Sequence, residues 1–405
     1  MTRRLALLSG APRVSTKESA EAGGARQHLL GTISGFRANG WEVSTYIVGD
    51  KVPEQWLKGN FERNLAASGS RRLAADIIRM CLAAIHSGLA VGQMRSPEWV
   101  YERCGAFQLM GYLFQRRGIP WILETNYLMF EELTTDRKSV ALAFLVRRIE
   151  EFAYRKCDIL VAVSDELKRA IVQKLPIPPE KIVVVPNAAD TEVFNPDTVT
   201  PRRLFGADVF VIGFQGSMYE WAGLENLLRA VAALRRNHLG VAAVLLGDGH
   251  ERTRLESLAA DLGIAEYVVF PGFVPRHCVP EYIAGFDLCY SGQLDLKRNA
   301  MYLSPLKLYD YMAMGKPVIA ARFVDAITLT KDGETGYLFT PDNLGDLIET
   351  ATRAYAERHN LSQLGAAARA AILAHHSWAS RIRDFIPVAE QMLAERPARN
   401  SVPSE

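Results

Sequence analysis

The chain has few cysteines, almost no net charge and no long apolar run. Its five cysteines in 405 residues (Cys81, Cys104, Cys157, Cys278, Cys289) include no C-x-x-C pair. That excludes a disulfide scaffold or a zinc ribbon and predicts reduced, mostly buried thiols in a cytoplasmic protein. The net charge of +2 lacks the basic footprint that nucleic acid requires, so no nucleic-acid partner is expected. No apolar stretch reaches the roughly 18 residues of a transmembrane helix. The run at 5–8, behind Arg3 and Arg4, stops at Ser9-Gly10, too soon for a signal peptide. The run from Met80 to Gly92 is broken by His86 and Ser87. It reads as a buried or amphipathic helix, with the membrane surface as the alternative. A small basic excess in the first 200 residues suits peripheral contact with an anionic inner leaflet. There is no D-x-D, no P-loop, no G-x-S-x-G and no Cys/His cluster, so no metal and no cofactor is expected. The adjacent His375-His376 reads as packing or surface.

What is present is an ordinary globular composition, 49% hydrophobic and 23% charged, long enough for two or three domains. Continuous apolar segments at 5–8, 43–48, 99–101, 120–123, 159–163 and 182–185 alternate with helical patterns at about 25–38, 54–93, 107–117, 139–155 and 165–175. After a Pro- and Gly-containing linker at 191–206 the alternation restarts, with strands at 209–214, 242–246, 267–270, 287–290 and 318–320. Such strands, buried on both faces, predict an α/β chain of two doubly wound domains, near 1–190 and 200–375. A last helix at about 380–395 is expected to pack back on the first domain, and the tail from Arg396 reads as disordered. Two such sheets present their strand C-termini to ligands, here expected at an interdomain cleft.

The most informative segment runs Ser304-Pro305-Leu306-Lys307-Leu308-Tyr309-Asp310 and continues to Gly315-Lys316-Pro317. It reads as a turn, a short helix stopped by Gly315, then a strand. A helix N-terminus offers unpaired N–H groups, and Lys307 stands against the dipole there, which points to an anion. Asp310, one turn on, is placed to accept hydrogen bonds from hydroxyls beside it; a diphosphate joined to a pentose suits both. Four further loops follow strands: Gly23-Gly24-Ala25-Arg26, Gly213-Phe214-Gln215-Gly216-Ser217, Leu245-Leu246-Gly247-Asp248-Gly249, and Phe270-Pro271-Gly272-Phe273-Val274-Pro275. The third has Arg252 where a dinucleotide fingerprint needs its last Gly. The fourth offers backbone groups and Phe273 to a nucleobase.

Together, Gly23-Gly24-Ala25, Val185-Pro186-Asn187-Ala188-Ala189-Asp190, Leu246-Gly247-Asp248-Gly249, Val269-Phe270-Pro271-Gly272-Phe273-Val274 and Tyr309-Asp310-Tyr311-Met312-Ala313-Met314-Gly315-Lys316-Pro317 resemble glycosyltransferase family 4. The resemblance implies the GT-B fold of two Rossmann-like domains, a nucleotide-sugar donor (UDP- or GDP-sugar) on the C-terminal domain, and metal-independent transfer with retention. It places Asp310 on the ribose hydroxyls and puts Tyr302 where the family's first Glu would stand. Ser217 and Ala222 stand where an Arg and a Lys are usual, so Lys307 is expected to supply the phosphate contact. Asn126 stands where many members have a His near the transferred sugar, with Glu124 beside it; Tyr101-Glu102-Arg103 resembles certain polysaccharide-assembling members. The expected donor-binding set is thus Gly23, Gly24, Gly216, Ser217, Gly249, Phe273, Val274, Ser304, Pro305, Leu306, Lys307 and Asp310, and the catalytic set Lys307, Asn126 and Glu124. The acceptor is expected to be lipid-linked, polysaccharide or small, chosen by the loop at 10–22 and the helices at 54–93. A catalytically degenerate nucleotide-sugar-binding scaffold is the competing reading; an epimerase or phosphorylase ranks third.

Overall fold

In the computed structural model, residues 2–12, 14–17, 24–53, 69–136, 139–294 and 304–395 are described. Gly23, Tyr302, residues 54–68, part of the 10–22 loop and the tail from Arg396 lie outside them. The chain forms two compact units. The first comprises Met1–Pro186, Tyr302–Ser304 and Trp378–Glu405, and the second Asn187–Met301 and Pro305–Ser377.

The first unit is built on strands β1 (Arg3–Ser9), β2 (Trp41–Ile47), β3 (Trp99–Arg103), β4 (Trp121–Thr125), β5 (Ile159–Ala162) and β6 (Ile182–Val184). They lie in the order β2-β1-β3-β4-β5-β6 and every pairing is parallel. Leu5 sits between Val43 and Trp99 in register. β3 and β4 are buried along their whole length, as strands covered on both faces must be. The order reverses between β1 and β3, so the crevice of this sheet opens at the ends of those strands.

The second unit has β7 (Phe210–Gln215), β8 (Val241–Leu246), β9 (Val268–Gly272), β10 (Leu288–Ser291), β11 (Val318–Ala321) and β12 (Gly336–Phe339). They lie in the order β12-β11-β10-β7-β8-β9, again all parallel. Here the order reverses between β10 and β7. β12 is absent from the sequence reading: it has four residues, flanked by the turn at Gly333 and by Thr340. Only pairing with β11 makes it a strand.

Helix limits differ from expectation where buried side chains intervene. The helix expected at 107–117 runs Met110–Gln115. Phe107 adopts φ 61°, a left-handed conformation in which an L-residue cannot propagate a helix. Glu102 then accepts from the N–H groups of Met110 and Gly111, at 3.1 and 2.8 Å. The helix expected from 139 starts at Ala143, because Asp76 binds the N–H groups of Ala141 and Leu142, at 2.8 and 2.9 Å. Ser164 caps Asp165–Lys174 as its sequence predicts, accepting from Leu167 N–H at 3.1 Å.

The final helix, Trp378–Ala394, packs on Gly24–Ala38 within the first unit. Gly31 makes that contact possible, since a Cβ there would sit 2.0 Å from the Trp378 indole. The helix Gly69–Gln93 is long and apolar enough to cross a bilayer by composition. One face, including Asp76, His86 and Ser87, is buried on the unit; the other exposes Leu73, Ile77, Ile78, Ile85 and Leu89. The cysteines are unbridged, but only Cys157 and Cys289 are buried and Cys81 is exposed. The expectation of mostly buried thiols is thereby corrected: Cys81 lies on the outer face of that helix, which sequence periodicity alone cannot orient.

Candidate functional site

At the second unit's reversal point three strand exits are stitched by backbone. Gly216 N–H donates to Leu246 O (3.0 Å), Gly247 N–H to Gly272 O (3.0 Å), and Met218 N–H to Asp248 O (2.9 Å). Gly216 stands at φ 138°, which an L side chain rarely adopts. A Cβ on it would meet Lys307 Nζ at 3.4 Å. The helix Leu306–Ala313 carries no side-chain cap at Pro305, so that residue supplies no side-chain acceptor to the first N–H groups, the kind of helix start an anion site uses. Tyr311 ties this helix to the end of β7, its hydroxyl accepting from Gln215 N–H at 2.6 Å.

Two charged groups on that helix lack partners among the described residues. Lys307 is half-buried; its ammonium lies 4.3 Å from the Phe214 ring centre and 5.3 Å from that of Trp221, with no hydrogen bond or ion pair. Loss of water lowers its pKa to about 7. Asp310 is 3% exposed and its Oδ2 has no hydrogen-bond partner. Burial pushes its carboxyl up to about 8, against the pull of Arg276 and with a further push from Asp190. The structure thus brings Gly216, Pro305, Leu306, Lys307 and Asp310 together. Ser304 is buried just before them, and Ser217 is exposed beside Gly216. Gly249 lies against the Met218 backbone, where a Cβ would come within 2.4 Å of its carbonyl oxygen. Phe273 is 60% exposed, while Val274 packs into the core. Of the Gly23-Gly24 pair, Gly24 opens its helix and is exposed.

The first unit's site lies at the ends of β3 and β4. Glu124, 2% exposed, takes His28 Nε2 at 2.6 Å and Asn126 Nδ2 at 2.6 Å on one oxygen, and the Tyr101 hydroxyl at 2.5 Å on the other. Arg103 donates to Asn126 Oδ1 at 3.2 Å and stands 4.0 Å from Glu124. Burial alone would push the Glu124 carboxyl up; His28, Arg103 and Tyr101 outweigh it and hold it at about 2. The unit's other buried carboxylates bind backbone. Glu102 caps Met110 and Gly111, and Glu150 accepts from Met129 and Phe130 N–H at 2.8 and 2.9 Å. Burial leaves both at about 7. Glu124 differs in that side chains aligned at strand ends surround it. It is too weak a base to take a proton at neutral pH, and with Asn126 it forms a rigid hydrogen-bonding rim.

Sequence reasoning missed His28, Tyr101, Arg103, Trp221 and Arg276 as members of these clusters. A signal existed for two of them: Tyr101 and Arg103 are polar intruders in an apolar strand, as Glu124 is in the next. His28 and Arg276 carry no local mark. Among the described residues no cluster of side chains could hold a metal ion.

Comparison with known proteins bears on both units. The model described as Glycosyltransferase Family 4 matches residues 22–193, and that described as Glycosyl transferases group 1 matches 209–357. The D-inositol 3-phosphate glycosyltransferase of Acidothermus cellulolyticus is 26% identical, over 93% of this chain and 87% of its own. The GDP-mannose-dependent alpha-(1-6)-phosphatidylinositol monomannoside mannosyltransferase of Mycolicibacterium smegmatis is 27% identical over 54% of this chain and 57% of its own. Among solved structures, sucrose-phosphate synthase from Thermosynechococcus elongatus aligns with a TM-score of 0.69 at 15% identity, covering 97% of this chain and all of that one. Anabaena Alr3699/HepE in complex with UDP aligns at 0.67 and 19%, covering 96% and 100%. These likenesses show the GT-B fold.

Proposed function

Because the chain belongs to glycosyltransferase family 4 and is a sugar transferase, we propose that its donor is a UDP- or GDP-sugar, held on the second unit and transferred with retention without a metal. One observation carries this reading: the half-buried Lys307 ammonium, with no counter-ion among the described residues, beside left-handed Gly216 and a helix start that Pro305 does not cap. A diphosphate supplies the missing charge. In the reaction the bond between the anomeric carbon and the β-phosphate oxygen breaks. The acceptor oxygen bonds to the same face of that carbon, and its proton passes to the departing phosphate. Lys307 and the N–H groups of Leu306 and Lys307 stabilise the charge that builds on that phosphate. Glu124 and Asn126 orient the sugar. Relatives named for inositol phosphate and phosphatidylinositol mannoside favour a phosphorylated polyol or its lipid-linked form as acceptor. The exposed apolar face of Gly69–Gln93 supports acceptor capture at the cytoplasmic membrane surface.

Incubating the purified protein with UDP- and GDP-sugars tests the reading. Slow donor hydrolysis that disappears in Lys307→Ala is expected; nucleotide binding with no turnover on any acceptor overturns it. Sedimentation with anionic vesicles, weakened in Ile78→Glu, tests the membrane contact.

A further inference from the structure

Lys307 stands among aromatic rings rather than acids. It is the second residue of the helix Leu306–Ala313, where the positive end of the helix dipole works against an ammonium. What faces that ammonium is ring: the Phe214 centre lies at 4.3 Å and the Trp221 centre at 5.3 Å. Both are within the roughly 6 Å over which a ring quadrupole attracts a cation. Gly216 keeps the space beside them clear, since a Cβ there would stand 3.4 Å from Lys307 Nζ and 3.5 Å from Phe214 Cζ. The loop 216–223 that leaves β7 contains no Lys or Arg. Its one carboxylate, Glu220, is exposed and forms no ion pair with Lys307 among the described residues.

The two rings differ in setting. Phe214 is fully buried in the second unit's core. Trp221 is half-buried and packs on the edge of that core. Its carbonyl accepts from Leu294 N–H at 3.0 Å, and its indole stacks with the exposed Tyr219 ring, 6.2 Å between centres and 17° between planes. Main chain and neighbour thus hold the Trp221 ring. A carboxylate in its place would neutralise the ammonium and repel an incoming diphosphate. A ring face attracts the cation and carries no net charge, so it steadies the side chain and leaves its N–H donors for an anion. Resting on the nucleotide-sugar reading above, we propose that Trp221 is a positioning residue for donor binding: together with Phe214 it holds the Lys307 ammonium at the phosphate site without neutralising it.

The test is titration calorimetry of the full chain and its variants with UDP and GDP. Trp221→Leu, which keeps an apolar side chain but no ring face, should bind the preferred nucleotide about tenfold more weakly. Trp221→Phe, which keeps a face, should stay within about threefold of the natural chain. In a Lys307→Met background the same Trp221→Leu change should have no further effect, because the ring then has no cation to hold. A tryptophan that merely packs the loop would cost the same in both backgrounds. Melting curves track any loss of fold, and indole emission gives a readout on the natural chain itself: nucleotide binding should shift it, and the shift should be absent from Trp221→Phe. Natural affinity in Trp221→Leu, an equal loss in the Lys307→Met background, or no Trp221-dependent emission change overturns this inference and leaves the donor reading standing. No binding of either nucleotide by the natural chain overturns both.

Discussion

Glu124 and Asp310 are carboxylates buried to nearly the same depth, 2% and 3% exposed, each beside the reversal point of its own sheet. One is held at about 2 and the other pushed up to about 8. Burial acts on both in the same direction, so the opposite outcomes come from their neighbours. Glu124 has an imidazole, a guanidinium, a phenol and an amide converging on it from three elements. Asp310 feels the attraction of Arg276, which is already engaged by Asp190, and its Oδ2 has no hydrogen-bond partner among the described residues. In the first cluster both oxygens of Glu124 are engaged. The second leaves Asp310 Oδ2 and the Lys307 ammonium without a hydrogen-bond or ion-pair partner among the described residues.

The most direct way to break this comparison is to neutralise each carboxylate. Glu124→Gln should destabilise the first unit by about 3 kcal/mol, because Arg103 and His28 lose a buried partner. Asp310→Asn should leave stability unchanged or slightly raised. Urea unfolding, with hydrogen exchange on β4 to localise the loss, measures both, and equal losses would dissolve the distinction. Next in size, Lys307→Met should leave stability at neutral pH unchanged or raised but reduce nucleoside diphosphate affinity about 100-fold, near 2.7 kcal/mol, as read by calorimetry.

The pH dependence sharpens the contrast further. Glu124 has its folded pKa, about 2, below the ordinary 4.5, so its stabilisation is full above pH 4.5 and disappears as pH falls toward 2. The stability gap between the natural chain and Glu124→Gln should close over that window. Asp310, at about 8 against an ordinary 3.8, behaves oppositely. The native chain should lose stability relative to Asp310→Asn as pH rises from 3.8 to 8. Lys307, lowered to about 7 from 10.5, makes the native chain gain stability relative to Lys307→Met between those values. Denaturation midpoints across pH check all three. Smaller again, Gly216→Ala should lose roughly 1–2 kcal/mol through its φ of 138° and weaken diphosphate binding by crowding Lys307. Ser217→Ala, at an exposed position, should change affinity by less than about threefold.

Much of the fold was legible because mostly apolar runs separated by helical patterns mark eleven of the twelve strands, even though the edge strand β2 exposes Glu42, Ser44 and Thr45. The exception, Gly336–Phe339, is too short to carry a pattern of its own. The Lys307 and Asp310 pair was legible for a local reason: a cation against a helix dipole and an acid one turn later share a face at a fixed spacing. Phe107 and Asp76 show the limit, since a left-handed residue and a carboxylate reaching across the chain moved two helix starts that propensity placed elsewhere.

Two parallel sheets, the strand exits that bear polar loops and the helix that presents Lys307 can be read from the order of residues alone. Those features follow from periodicity and from neighbours within a turn. The tertiary structure decided which charges find partners. His28 meets Glu124 across 96 positions of sequence, and Arg276 reaches Asp190 across 86. Electrostatic balance in a buried site depends on distances in space, which no spacing along the chain encodes.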